Sequence, residues 1–461
     1  MLLKSTINHL MVVCLLILGA LHAAQPNSVV ATINVGVTPA GIAVTPDNKF
    51  AYVANNNNYS ITGGDSVSVL DLTNNLLYTT ILDESFNQPY TVTINASGTT
   101  AYITNSNSTT ISIIDIPTNS VTGTITGFDG PSGMVITPNG NFAYVNNYGG
   151  PGGVGSGNGT TVRIVNLTTN TIVGAPIAVG QAPAALAITP HGAFVYVANY
   201  VDGNTGTGTV SVIQTSNNTV VATIPGFSGP FGIAITPNGK YAYVTNFGSN
   251  NFDPIGTTAS VIDLSNNTIT ATIKLDIQPS GIAITPDGQF AYATNYDTLY
   301  TDTSFTNLVA GQGTVNIIDI ATNTVIPPII AVGQSPDSVA IAPDGLFAYV
   351  TNYTSNSVSV IALPTFSITA QGCQLQDRFL THINLINKLT WTATGTSLPV
   401  SYAIYRDAPL TDLAGTILAT QPLVFFDYNV TPNIAYTYYI VGTNSAGTLS
   451  TPIAATITQN C

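Results

Sequence analysis

Apolar and polar residues alternate along most of this chain in short runs, each closed by a turn, which is the pattern of half-buried β-strands. One phrase recurs seven times. It reads, loosely, G-[IV]-A-[IV]-T-P-[DN]-G-x-[FY]-A-Y-V-T-N, then a variable loop, then V-S-V-I-D, then T-N-T-[IV]-x-A-T-I. Four strand-like runs repeated every ~40–55 residues predict the blades of a β-propeller.

The repeats align on Tyr52, Tyr102, Tyr144, Tyr196, Tyr243, Tyr292 and Tyr349. Each follows a tight turn, such as Pro138-Asn139-Gly140 or Pro286-Asp287-Gly288. Proline presets φ there, and Gly or Asn tolerates the left-handed position. The second repeat departs with Ala96-Ser97-Gly98, and the fourth carries His191 in the turn. After Val358-Ser359-Val360-Ile361 the chain reaches Pro364 without a fourth run, but Asn27-Ser28-Val29-Val30-Ala31-Thr32-Ile33 nearly duplicates Asn218-Thr219-Val220-Val221-Ala222-Thr223-Ile224. The amino-terminal run, 27–33, is therefore expected to complete the last blade. That leaves no exposed edge in the ring, and the count is seven blades over 25–364.

Past Pro364 the repeat stops. Residues 365–461 carry short strands around Trp391, Tyr402-Ala403-Ile404-Tyr405 and Tyr436-Thr437-Tyr438-Tyr439, which predict a second, small β-sandwich. The fold class is thus all-β.

Composition adds a compartment. Residues 1–24 have Lys4, an apolar stretch and a closing Ala23-Ala24, the pattern of a cleavable signal peptide. The expected setting is secreted, periplasmic or cell-surface, with no membrane insertion after cleavage. Cys373 and Cys461, bracketing the small domain, are expected to form a disulfide in that setting. Against 21 Asp+Glu stand 8 Lys+Arg, and Glu84 is the sole glutamate. That balance gives no footprint for nucleic acid, and the scarcity of Glu, Lys and Arg argues against helices.

The Y-V-T-N core resembles the YVTN family of β-propeller repeats, found in archaeal surface-layer proteins and exported bacterial proteins. The resemblance covers about 27–363 and implies a binding, adhesive or structural role. The carboxy-terminal pattern Y-x-I-Y-R, then P-x-x-x-Y-x-Y-x-I, with Trp391 and Tyr436, looks like a fibronectin type III domain. Immunoglobulin-like alternatives stay open there. The resemblance implies a spacer or adhesion unit.

Candidate chemistry is sparse. After the leader, only His191 and His382 remain, so no multi-histidine metal site and no cysteine nucleophile can be built. Some seven-bladed relatives are lactonases or lyases using His, Glu or metal-binding acids on the propeller axis. Those residues cannot be placed here, so the expectation is a protein without enzymatic activity and without a cofactor. The binding reading rests on geometry. All long insertions (55–66, 147–161, 199–209, 246–258 and 295–314) fall between second and third strands, on one face. That face and the blade connectors nominate Tyr59, Tyr90, Tyr148, Phe231, Phe252, Tyr300, Phe305 and Asp337 as contacts to a protein or carbohydrate. Tyr90, Ser132, Phe231, Ser280 and Asp337 each stand one step after a proline, near the channel mouth. Asp297 and Asp302 could offer oxygens to Ca²⁺, although their spacing matches no known loop. Two rivals are a self-assembling envelope component and a lactonase- or lyase-like enzyme. A channel lined by Asp and Tyr with strongly raised pKa values would favour the enzyme.

Overall fold

The computed structural model describes residues 27–57, 64–149, 158–200, 207–248, 255–296, 298–300, 308–364, 366–378, 383–395, 401–406, 412–421, 423–427, 436–443 and 453–460. Its elements are all β-strands. Seven four-stranded antiparallel sheets form a seven-bladed propeller. Five blades are built from consecutive strands, the first from Pro39–Val44, Phe50–Asn55, Ser66–Asp71 and Leu76–Ile81. In the sixth, a two-stranded hairpin of Thr298–Tyr300 and Leu308–Ala310 intervenes between the second and third strands. In the seventh, Pro336–Ile341, Phe347–Asn352 and Ser357–Ala362 are joined by the amino-terminal Ser28–Asn34. Ser28 stands opposite Ala362 and Asn34 opposite Ser357. The innermost strand of each blade packs against those of its two neighbours, so the ring is closed.

The repeated words of the sequence have separate tasks. In the turn before the second strand, Thr45 Oγ accepts from the Phe50 amide and donates to Asp47, and Thr236 and Thr285 repeat the arrangement. The tyrosine of Y-V-T-N is buried between blades, and its hydroxyl reaches the next blade. Tyr52 donates to Asn119, Tyr144 to Asn218, Tyr196 to Asn267, Tyr243 to Asn323 and Tyr292 to Asn27, at 2.5–2.6 Å. Each accepting Asn has positive φ in the turn that opens, or directly precedes, a fourth strand. The final Asn of the motif turns back to its own blade, as Asn199 does to Thr209 and Ser211. Among the described residues the tyrosine tie is missing at two seams, between the seventh and first blades, where Asn75 Oδ1 is buried without a partner, and between the second and third. Asn170 Oδ1 is buried without a partner, and a cavity of about 310 Å³ opens between it and Tyr102.

The carboxy-terminal strands, from Phe366–Arg378 to Ile453–Asn460, form one seven-stranded hydrogen-bonded set. Leu389, Trp391, Tyr402, Ile404, Tyr438 and Ile440 make its core. Trp391 meets Tyr402 edge-on at 5.4 Å. The buried Asp427 carboxylate accepts two bonds from Arg406 and one from the Tyr438 hydroxyl. Cys373 lies on the first of these strands, and its partner in the expected disulfide, Cys461, is outside the described residues.

Candidate functional site

Every innermost strand begins with proline and carries a bulge directly after it. Pro39 pairs with Asn55 and the register resumes at Ile42, and the other six blades have a shift in the same place. A bulge re-aims side chains where a ladder would otherwise fix them. The residue after proline therefore sits at the mouth of the central channel: Ala40, Tyr90, Ser132, Ala184, Phe231, Ser280 and Asp337.

These seven do different things. Tyr90, Ala184, Phe231 and Asp337 line a cavity of about 170 Å³ in the channel. Ser132 and Ser280 turn away, and their hydroxyls donate to the carbonyls of Pro183 and Pro336 in the next blade. The position after that is small in every blade, with glycine in four. A Cβ on Gly41 would lie 2.4 Å from the Tyr90 carbonyl oxygen, and one on Gly281 2.7 Å from that of Asp337. The missing Cβ atoms let the inner strands approach closely. The motif threonine adds a clamp. Thr351 Oγ accepts from the Ser338 amide and donates to the Ala40 carbonyl, while Thr294 Oγ donates to the Asp337 carbonyl. The backbone that carries Asp337 is held from two blades.

A second ring stands above the first. The residue directly after the motif Asn is Asn56, Ser106, Tyr148, Tyr200, Phe247, Tyr296 or Tyr353, aromatic in five consecutive blades. Each donates its amide N–H to a connector carbonyl just before the proline, for example Tyr200 to Ala182 and Tyr353 to Ser335, both at 2.9 Å. The accepting residues all have positive φ, from 50° to 57°. Five of them are not glycine, so this ring of connectors holds left-handed strain, of the kind that gathers at functional sites. The aromatics form a contiguous arc. Tyr200 and Phe247 are 6.3 Å apart, Phe247 and Tyr296 6.0 Å, and Tyr296 and Tyr353 6.2 Å. Phe231 sits inside it, 5.4 Å from Phe247. Tyr148 packs at its other end, beside Tyr200.

The electrostatics follow from this enclosure. Asp337 keeps a partly exposed edge in the channel, yet it is surrounded by protein. Burial pushes its carboxyl up to about 7, and among the described residues no cation offsets that. Burial also raises the Tyr90 phenol well above its usual range, helped by the Asp337 charge and then by Tyr148, Tyr353 and Tyr296. Tyr90 is thus a protonated donor at any physiological pH, while Asp337 is divided between acid and base near neutrality.

Of the residues nominated from sequence, the structure brings Tyr90, Phe231 and Asp337 together in the channel, with Tyr148 on the collar. Tyr59, Phe252, Phe305, Asp297 and Asp302 lie outside the described residues, as does the side chain of Tyr300. His191 sits in the turn between Pro190 and Gly192, on the face away from the collar, against Gly239. Among the described residues no three His, Cys, Asp or Glu side chains gather as a metal site. Tyr353 was not nominated, because its loop is short. Its column in the repeat, directly after the motif Asn, was the signal that could have found it.

The family model described as "Lactonase, 7-bladed beta-propeller" matches residues 12–128 and 206–364. The chain belongs to this family. Membership overturns the expectation of a protein that is not an enzyme. That expectation rested on the absence of axial His and Glu, and the channel mouth offers Asp337 and Tyr90 as acid–base groups without them. A 60-residue stretch is 50% identical to the PE-PGRS family protein PE_PGRS18 of Mycobacterium tuberculosis, covering 13% of each chain. The chain thus spans about an eighth of that relative's length. Among solved structures, Kuenenia stuttgartiensis hydrazine synthase superposes with a TM-score of 0.59 and 22% identity, over 71% of this chain and 96% of that one. At this identity the likeness is one of fold.

Proposed function

We propose that this lactonase-family propeller is an exported hydrolase of small lactones or related cyclic esters, with its site at the channel mouth on the long-loop face. One observation carries the reading: a carboxyl that titrates near neutrality and a protonated phenol line one cavity of the channel. The chemistry then balances simply. The Asp337 carboxylate takes a proton from water as the water oxygen bonds to the ester carbonyl carbon. The Tyr90 O–H donates to the carbonyl oxygen as negative charge develops there. The ring C–O bond breaks, and the proton held by Asp337 passes to the departing alkoxide, giving the hydroxy acid. The leader at 1–24 supplies the export part of the proposal, and the carboxy-terminal sandwich is its fibronectin-like spacer.

The test is hydrolysis of a panel of lactones by residues 25–461. Asp337→Asn is expected to lower kcat by ~10²–10⁴-fold, the usual range for a general base. Tyr90→Phe is expected to lower kcat with little change in KM. The wild-type kcat/KM should rise with pH through about 7, as Asp337 loses its proton. Turnover by Asp337→Asn at the wild-type rate would overturn the assignment.

A further inference from the structure

The channel mouth is electrically unusual. It contains one carboxyl, at Asp337, and among the described residues no Lys, Arg or His lines the cavity. The groups facing that carboxyl are Tyr90 from the second blade and, around Tyr90, Tyr148, Tyr296 and Tyr353 from the third, sixth and seventh. Phe231 and Phe247 complete the wall from the fifth blade. Aromatic faces carry negative quadrupole potential, and they hold ammonium groups best where water is excluded. Anions would meet the carboxyl and an overall formal charge of −13, with no positive group among the described lining residues to receive them.

We infer that the aromatic collar and Asp337 form a cage for an organic cation, a protonated or quaternary ammonium, so that the substrate or effector of this site carries such a group. The cavity of about 170 Å³ is of the size that takes a benzene-sized group, since ~150 Å³ suffices for benzene. Tyr90 and Phe231 line the cavity with Asp337, whose carboxyl supplies the countercharge, and Phe231 joins them to the collar through Phe247. A bound cation would in turn keep Asp337 ionised at lower pH. The inference rests on the channel mouth being the site, as in the preceding reading, and is independent of lactone chemistry.

The test uses the mature chain and two probes of one shape: choline and its uncharged carbon isostere, in which tert-butyl replaces trimethylammonium. Calorimetry or ligand-observed NMR at pH 8 should show choline binding at least ~10-fold tighter than the isostere. Asp337→Asn and Tyr296→Leu should each weaken choline binding by a similar factor while leaving the isostere nearly unaffected by Asp337→Asn. Choline affinity should fall as pH drops through the Asp337 titration. Equal binding of both probes, or no binding of either, overturns the cage. Lactone turnover without choline binding or inhibition sinks the cage and spares the hydrolase. Choline binding without turnover of any lactone upholds the cage and sinks the hydrolase.

Discussion

Asp337 takes its chemistry from its position. The same column of the repeat holds Ala40, Ser132, Ala184 and Ser280, which are spacers or ties between blades. At Asp337 the bulge aims a carboxyl into the channel with burial and, among the described residues, no countercharge. The consequence for stability has a definite sign. The unfolded chain releases this proton near 3.8, and the folded chain holds it to about 7. Between those values the folded state binds more protons, so its stability falls as pH rises, then levels off above about 7. Asp337→Asn removes the dependence. The variant should melt above the wild type at pH 8 and together with it at pH 4. Discounted for water in the channel, the difference at pH 8 is on the order of 2 kcal/mol. Melting curves of the two proteins at both pH values check this, and a variant less stable at pH 8 would contradict it.

At the scale of the strand, the Y-V-T-N word acts as three separate ties. Its tyrosine reaches outward to the next blade's turn, its threonine inward to the next channel strand, and its asparagine back to its own blade. Tyr196→Phe removes the bond to Asn267 and leaves a half-buried amide oxygen unmet, for an expected loss of ~1–2 kcal/mol. Tyr102→Phe removes no such tie, because the Asn170 oxygen is already unpartnered, and is expected to cost under ~0.5 kcal/mol. Denaturant titration of the two variants separates them, and equal losses would refute this account of the motif. These ties explain why the blades were legible. A repeated Tyr, Thr and Asn at fixed spacing is the direct imprint of repeated contacts, and the proline before each channel strand marked Tyr90, Phe231 and Asp337. What the pattern hid was orientation. Ser132 and Ser280 share the proline-plus-one position yet face the neighbouring blade. Tyr148 read as a loop residue although the Gly130 carbonyl pins it to the collar. Loop length pointed away from Tyr353, whose role comes from its column in the repeat.

At the scale of the molecule, the ring depends on a strand from the far end of the chain. Ser28–Asn34 covers the edge of Ser357–Ala362, buries Ile33, and carries in front of it the Asn27 that receives the Tyr292 hydroxyl. A chain starting at residue 35 loses all three, and its melting midpoint should fall by roughly 5–10 °C. Differential scanning calorimetry of the shortened chain tests this, and an unchanged midpoint would show that the strand is dispensable.

The closing pair is antiparallel, with Asn27 and Ala362 bonded at one end and Asn34 and Ser357 at the other. The segments before Asn27 and after Ala362 therefore leave from the same end. Tension applied between the two termini of the protein would load these hydrogen bonds one at a time, peeling the pair open rather than shearing all of it at once. The ring would then yield to a gentle pull at its seam, and it would begin to open within the blade that carries Asp337.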